Sequence, residues 1–228
     1  MKQTILIILI FIVLISCQNK SQEGKIFDSI NYSDTTIVEH QTPDGIIEFE
    51  PYDYDTILSG GYNFKYKVYT DKTGEKLQSL TLRKGDDEIK VLNETSFPML
   101  FKNLGYIGAD FDSSFVFVQS FGSGNPHEIQ LIDKKTGKEL RKGTWVDVDE
   151  KEQVMLYIEN EHEQNEKLLI YDIKNRNEIL STGFEKSKCV EHVIGGLRNC
   201  VEIDTVTTDE IVLKIDTDEE KIIKKYNR

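Results

Sequence analysis

Segments in which apolar and polar residues alternate at every second position recur along most of the chain and limit what it can fold into. The clearest is YNFKYKVYT, residues 62–70, which places its aromatic and aliphatic side chains on one face and asparagine and lysines on the other. A period of two is that of a half-buried β-strand. Five further segments show the same alternation: EIKVL, HEIQLID, QVMLYIE, KLLIYDI and EIVLKID.

Helical patterns are scarce by comparison. After the first 16 residues, only residues 95–105, TSFPMLFKNLG, predict a turn or two of helix, with Pro98 near its start. FVFV at residues 115–118 is apolar on both faces and predicts a strand at the centre of a sheet. The chain is therefore predicted to be all-β.

The polar turns between strands repeat one arrangement three times. In VYTDKTGEKL, QLIDKKTGKEL and LIYDIKNRNEIL, an aspartate follows the β-residues, and a polar turn, a charged residue and a leucine come next. The carboxylate can accept hydrogen bonds from amides further along, and glycine or asparagine can adopt positive φ, so each turn is predicted to close a hairpin. The aspartates are Asp71, Asp133 and Asp172, and the positive-φ residues are Gly74, Gly137 and either Asn175 or Asn177.

These hairpins resemble the strand-Asp-x-x-Thr-Gly-strand hairpins of bacterial propeller-like repeats and of small β-meander lipoproteins. The resemblance covers about residues 60–180. The three copies begin 62 and 39 residues apart, and the third lacks the Thr-Gly pair, which disfavours a regular propeller. The prediction is an arrangement of antiparallel meanders that form a sandwich, a barrel or a small or incomplete β-propeller.

The first 16 residues have the pattern of a secretory signal peptide. Lys2 precedes an uninterrupted apolar run at residues 5–15, and Ser16 follows it. As a helix this run is roughly 16 Å long, about half of a bilayer's hydrocarbon core, and so too short to span it. A basic start, a short apolar segment and a small residue before the cleavage position are typical of such signals.

Cys17 comes next, and the sequence Leu14-Ile15-Ser16-Cys17 resembles the lipobox of bacterial lipoproteins. In that family the cysteine thiol is diacylated, the signal is cut just before it, and the new amino terminus is usually acylated as well. The resemblance implies that acyl chains on Cys17 hold the protein to a lipid bilayer of the bacterial cell envelope, on the periplasmic or cell-surface face. An ordinary signal peptide with an incidental cysteine and an uncleaved membrane-inserted helix are the alternatives.

The predicted domains follow from these segments: residues 1–16 are the lipoprotein signal peptide, residues 17–42 the anchor and linker, and residues 43–228 a single all-β domain. The net charge of the chain is −12, and removal of Lys2 with the signal makes it one unit more negative. Such a field repels phosphate backbones, so nucleic acid is not a predicted partner.

The remaining cysteines are Cys189 and Cys200, in KCVEHVIGGLRNCVE. In an exported protein such a pair predicts a disulfide, and closing a loop of this length stabilises the fold by roughly 3 kcal/mol in the chain-entropy model. Gly195 and Gly196 favour a hairpin or a short loop between the cysteines. With His192 the two cysteines provide too few ligands for zinc, so no metal or other cofactor is predicted.

Residues with catalytic potential do not form a recognisable motif. The glycine-rich segment SFGSGNPHE, residues 120–128, lacks the lysine and following helix of a phosphate-binding loop, and Ser123 and His127 within it have no third triad member. Asp110 and Asp112 form a further candidate pair of carboxylates. No catalytic residue is assigned, and a hydrolase with a site built from these loops is an alternative.

Two acidic segments, DVDEKE at residues 147–152 and DTDEE at residues 216–220, alternate carboxylates as calcium loops do. Neither has the glycine and the distant glutamate of an EF-hand, and both fall where turns between strands are expected. They are interpreted as solvated turns, with weak calcium binding as the alternative.

Aromatic residues near acidic groups indicate a candidate binding surface: Tyr52 and Tyr54 in PYDYD, and Trp145. Such rings contact proteins or stack on sugars, although strands also bury aromatic residues in a core. In the absence of a catalytic motif, the sequence predicts a non-enzymatic binding module for an envelope or secreted protein. A glycan-binding lipoprotein, a hydrolase and a structural spacer lipoprotein are the alternatives.

Overall fold

The computed structural model describes residues 54–122, 127–183, 189, 196–217 and 219–228, which all belong to one compact unit. The predicted signal peptide, Cys17 and the predicted linker lie outside the described residues. Within the described part, no helix is long and apolar enough to cross a membrane.

The N-terminal sheet consists of four antiparallel strands in sequence order: β1 (Ile57–Leu58), β2 (Tyr62–Thr70), β3 (Lys76–Lys84) and β4 (Asp87–Ser96). A 3-10 turn, Ser59–Gly61, joins β1 to β2. The alternating segment YNFKYKVYT forms β2 as predicted, and its Phe64 is buried opposite Leu82 of β3. The opposite face of β2 carries the lysines, which explains the alternation in the sequence.

The central sheet consists of seven antiparallel strands, each paired with its neighbours in the sequence: β5 (Tyr106–Asp110), β6 (Ser114–Ser120), β7 (His127–Asp133), β8 (Glu139–Asp149), β9 (Val154–Glu159), β10 (Lys167–Asp172) and β11 (Asn177–Thr182). A short helix, α1 (Phe101–Leu104), precedes β5. FVFV lies in β6, which is buried on both faces and has a strand on each side, β5 and β7.

The C-terminal sheet follows a second short helix, α2 (Leu197–Cys200), and has three antiparallel strands: β12 (Val201–Val206), β13 (Glu210–Asp216) and β14 (Lys221–Asn227). Cys189 and Cys200 form a disulfide with their Cα atoms 5.7 Å apart, which confirms the predicted pair. The described part of the loop between them contains α2, whereas Gly195 lies outside the described residues.

The central sheet folds over on itself at a bulge in β8. The pairing of β8 with β9 shifts between Trp145 and Asp147, and a bulge of this kind bends a strand so that it passes from one layer to another. Strands on the two sides of the bulge then bury side chains against each other. Val116 of β6 and Leu131 of β7 belong to the same buried cluster as Met155 of β9.

Contacts between distant strands confirm this bend. Three steps of about 4.8 Å separate β5 from β8 in the sheet, yet a Cβ atom added to Gly108 of β5 would lie 3.1 Å from the Trp145 ring. The turn after β5 also meets the turn after β8, because Gln153 donates a hydrogen bond to Asp112 at 2.8 Å. The seven strands therefore form two packed layers.

The two smaller sheets cover the outer faces of these layers. The N-terminal sheet packs on the first layer through a cluster that includes Phe64 and Phe117, and the C-terminal sheet packs on the second through a cluster that includes Leu156 and Leu213. The all-β prediction is confirmed, and the architecture is a sandwich of antiparallel meanders. In the described part of the chain the sheets have four, seven and three strands, without propeller blades or a closed barrel.

The three repeated turns close the β2–β3, β7–β8 and β10–β11 hairpins, as predicted. In each of them the aspartate Oδ1 atom accepts a hydrogen bond from a backbone N–H two or three residues further on, at 2.8 to 2.9 Å. The pairs are Asp71 with Thr73, Asp133 with Thr136 and Asp172 with Asn175.

The positive-φ positions agree with the sequence in two of these turns. Gly74 and Gly137 have φ of 90° and 67°. In the third turn the prediction of Asn175 or Asn177 is wrong, because Arg176 adopts φ of 54° instead. The side-chain amide of Asn175 donates a hydrogen bond to Oδ2 of Asp172 at 2.9 Å. The positive φ therefore falls on the next residue, Arg176.

Candidate functional site

Four aromatic side chains form a cluster at the end of the central sheet where β5 begins. The Tyr54 ring stacks on Tyr106 of β5, with centroids 4.7 Å apart and planes inclined by 20°. Phe101 of α1 meets the Tyr54 ring edge-on at 4.3 Å. His127 of β7 lies 6.5 Å from the Tyr106 ring, and its Nδ1 atom is 3.3 Å from the Tyr106 hydroxyl oxygen. These four residues are called the aromatic cluster.

Three further apolar side chains next to this cluster are between 40% and 52% exposed: Met99, Leu100 and Phe121. Met99 and Leu100 precede α1, whereas Phe121 follows β6. The two segments are connected because the side chain of Asn103 in α1 donates a hydrogen bond to the Ser120 carbonyl at 3.0 Å. The aromatic cluster and these three residues together are called the apolar surface.

Gly105 allows α1 to lie close enough to β6 for this surface to form. Its φ is 121°, and a Cβ atom there would lie 2.0 Å from the Phe117 ring. Its N–H donates to the Phe101 carbonyl at 2.8 Å, which ends the helix and turns the chain into β5. A larger residue would therefore move α1, and with it Phe101, away from the sheet.

The apolar surface has the chemistry of a contact surface rather than of a reaction centre. Burial raises the pKa of Tyr106, and the neighbouring Tyr54 raises it further, so the Tyr106 phenol is protonated at neutral pH. In that state its hydroxyl can donate to Nδ1 of His127. The remaining groups offer ring faces, a thioether and aliphatic carbons, which bind other apolar groups.

The aromatic residues selected from the sequence do not form a single site in the described residues. Tyr54 is part of the apolar surface. Trp145 is half-buried and packs between the two layers of the central sheet, against the cluster that contains Met155. Tyr52 lies outside the described residues.

The loops selected as a candidate hydrolase site lie at opposite ends of β6. Asp110 and Asp112 flank the turn before this strand, and His127 begins the strand after it, opposite Ser120. A strand of this length separates its two ends by roughly 20 Å. Ser123 lies outside the described residues. The aspartates and His127 therefore cannot act on one substrate group.

Asp110, whose side chain is 26% exposed, instead pairs with a buried lysine. The Nζ atom of Lys134 lies 2.5 Å from Oδ1 of Asp110 and donates hydrogen bonds to Oγ of Ser59, at 2.6 Å, and to the Phe111 carbonyl. The Ser59 N–H also donates to Asp110, at 2.6 Å. This group joins the 3-10 turn of the N-terminal sheet to the central sheet.

The acidic segments have structural roles where the structure describes them. Oδ2 of Asp147, at the bulge of β8, accepts a hydrogen bond from the Ile203 N–H at 2.8 Å and so holds the C-terminal sheet to the central one. Asp216 is paired with Lys221 at 3.3 Å. Among the described residues, no three histidine, cysteine or acidic side chains converge as metal ligands.

The apolar surface has only a weak signature in the sequence. Residues 95–105 were interpreted for their helical turn, although Met99, Leu100 and Phe101 follow one another there. Three consecutive large apolar residues next to Pro98, in a segment too short to bury them all, are a signal for exposed apolar side chains. Phe121 has no such signal, because its exposure depends on where β6 ends.

A scan against models of protein families finds no match to this chain, and a search of curated proteins finds no significantly similar sequence.

Proposed function

We propose that the protein is a bacterial lipoprotein anchored in the cell envelope by acyl chains on Cys17, and that its β domain is a non-enzymatic binding module for an envelope or secreted protein. The lipobox-like sequence at residues 14–17 supports the anchor. The apolar surface is the observation that carries the binding function.

Exposed apolar groups of this size are unusual when they lie side by side. Burying apolar area is worth about 25 cal/mol per Å², so Met99, Leu100 and Phe121 represent binding energy that the isolated domain does not use. Aromatic residues and methionine are enriched in the centres of protein interfaces. Tyr54 and Tyr106 stack on each other, so both rings are already held in place, and binding a partner costs less conformational entropy.

The charge of the chain favours a basic partner. A net charge of −12 attracts positively charged proteins over about a Debye length, roughly 8 Å at physiological ionic strength. Such steering raises association rates more than it raises affinity. From the apolar surface and the negative charge, we expect the partner's binding surface to have apolar residues at its centre and lysine and arginine around them.

The test is capture of partners from envelope extract by the full chain in non-ionic detergent, compared with the double variant Leu100→Asp, Phe121→Asp. The matched control is the double variant Val91→Asp, Ile223→Asp, which introduces the same charge at two other exposed apolar residues, on β4 and β14. We expect one stoichiometric protein to be captured by the wild type and by the control, and at least tenfold less of it by the double variant.

Equal capture by all three proteins would show that the apolar surface is not the binding site. Failure to capture any protein, together with a rise in melting temperature when oligosaccharides are added, would replace the protein partner with a glycan. Circular dichroism of each variant ensures that lost capture does not reflect lost folding.

A further inference from the structure

A polar groove of about 370 Å³ lies on the outer face of the first layer of the central sheet. Its floor is formed by β6, β7 and β8, and one wall is the segment that follows β9. Its volume is within the range of small-molecule sites, about 300 to 1,000 Å³. The side chains that matter for its chemistry are Gln119, Glu128, Gln130, Lys142, Thr144 and Glu161.

The register of the sheet explains why these polar side chains lie together. Gln119 pairs with Glu128, and Glu128 pairs with Thr144, so the three side chains form a row across β6, β7 and β8 on one face. The same face is apolar on both sides of this row. Phe117 packs under the N-terminal sheet, and Ile158 packs under the C-terminal sheet. The groove is the polar part of this face, between the region covered by the N-terminal sheet and the region covered by the C-terminal sheet.

Glu161 is the most constrained group in this groove. Its side chain is 9% exposed, and its Oε2 atom accepts a hydrogen bond from the hydroxyl of Thr144 at 3.0 Å. Nε2 of His162 lies 3.9 Å from the same oxygen, on a side chain that is largely exposed. No lysine or arginine in the described ranges pairs with Glu161, and Oε1 has no hydrogen-bond partner among them.

Among the described residues, the one hydrogen bond that reaches the Glu161 carboxylate comes from the neutral hydroxyl of Thr144. Removing a carboxylate from water costs several kcal/mol unless charged donors compensate for the lost hydration. Among the described lining residues, the carboxylates of Glu128, Glu159 and Glu161 outnumber the one lysine, Lys142. The described part of the groove therefore carries an excess of negative charge.

We propose that this groove binds an ammonium or guanidinium group, with Glu161 as its anionic partner and Glu128 and the amide oxygens of Gln119 and Gln130 as further acceptors. A guanidinium matches a carboxylate with two parallel hydrogen bonds, and an ammonium brings three donors. The group is either part of a free small cation or the side chain of an arginine or lysine in a peptide. This inference is independent of the anchor and of the apolar surface.

The experiment is calorimetric titration of the full chain, in non-ionic detergent, with methylguanidinium, putrescine and the tripeptide Gly-Arg-Gly. Glu161→Gln keeps the shape of the side chain and an acceptor for Thr144 but removes its charge. The matched control is Glu88→Gln, which removes the same charge from an exposed position on the N-terminal sheet. We expect binding by the wild type and the control, and about tenfold weaker binding by Glu161→Gln.

A second variant keeps the test decisive if Glu161→Gln does not fold. Lys142→Ala removes an exposed lysine from the groove, so it should leave the fold intact and strengthen cation binding several-fold. Tighter binding of Gly-Arg-Gly than of methylguanidinium would assign the site to a peptide side chain, and equal binding would assign it to a free cation. Absence of binding to all three probes would overturn the proposal, as would equal losses in Glu161→Gln and Glu88→Gln.

Discussion

Replacing the last residue of the sequence, Arg228→Ala, is expected to destabilise the fold as much as a substitution in its core. The Arg228 side chain is 5% exposed and pairs with Asp172, which is 1% exposed, through a 2.6 Å bond from Nε to Oδ2. Its Nη2 atom donates to the Glu152 carbonyl at 2.6 Å, and Nη1 donates to the Thr207 carbonyl at 3.0 Å. One side chain thus connects the C-terminal sheet to the turns that follow β8 and β10.

The size of the effect follows from what the substitution leaves behind. Without the guanidinium, Asp172 keeps its bonds from Asn175 but loses its cationic partner while it is still buried. Breaking a buried ion pair by removing one partner costs about 3–5 kcal/mol. Because Asp172 keeps two hydrogen bonds from Asn175, we expect the lower end of this range, about 3 kcal/mol, or a melting temperature lower by roughly 6–12 °C.

The assay is urea unfolding at pH 7, followed by circular dichroism and by the fluorescence of Trp145. Arg228→Lys should recover part of the loss, because it keeps the charge but not the planar arrangement of donors. The matched control is Lys225→Ala, which removes an exposed pair with Glu210, 2.9 Å long, and should cost less than about 1 kcal/mol. A loss for Arg228→Ala no larger than that of the control would refute the reasoning.

The ion pair between Arg228 and Asp172 also predicts how the free energy of unfolding depends on pH. Burial alone would raise the pKa of Asp172, but the hydrogen bonds from Arg228 and Asn175 outweigh burial, and its pKa is lowered by folding. A carboxyl of this kind adds stability that is fully present above its unfolded value, about 3.9, and is lost as pH falls through the lower folded value. The difference in unfolding free energy between wild type and Arg228→Ala should therefore be constant from about pH 5 to 7 and shrink below about pH 4.

Three further substitutions test other parts of the structure. Cys189→Ser with Cys200→Ser should lower the free energy of unfolding by roughly 3 kcal/mol, and the wild type under reducing conditions should match the variant. Lys134→Met keeps the apolar part of the side chain but leaves Asp110 without its partner, so it should cost about 3 kcal/mol and speed amide exchange in the N-terminal sheet first. Asp133→Ala removes the acceptor in the β7–β8 turn and should cost about 1 kcal/mol in urea unfolding.

The sequence predicted the strands well because their alternation depends only on which face of a sheet is buried. HEIQLID and EIVLKID coincide with β7 and β13, and the aspartate turns lie where their hydrogen-bonding chemistry requires. Both are local properties, and each is determined by a few neighbouring residues. The disulfide was predicted for a different reason, because two cysteines allow one pairing.

The layered arrangement could not be predicted in the same way. It depends on the bulge between Trp145 and Asp147, where one extra residue in β8 lets a single sheet become two layers. Nothing in the residues TWVDVD distinguishes a bulge from a regular strand. The burial of FVFV depends on tertiary structure in a related way: β6 has β5 and β7 on either side, and its two faces are buried because the N-terminal sheet covers one and the second layer of the central sheet covers the other.

The candidate sites depend even more on tertiary contacts. The apolar surface combines Tyr54, α1 and the ends of β6 and β7, and the polar groove combines three strands with Glu161. Residues this far apart in the sequence leave no common motif. The sequence could therefore indicate Tyr54, as an aromatic residue near acidic groups, but not the residues that surround it in space.

The most direct test of the central claim is the mass of the N-terminal peptide of the protein isolated from bacterial envelopes. A lipid-anchored protein predicts a peptide that begins at Cys17 and carries a diacylglyceryl group, with or without a third acyl chain on its amino group. A peptide that begins at another residue, or an unmodified Cys17, would contradict the proposed anchor.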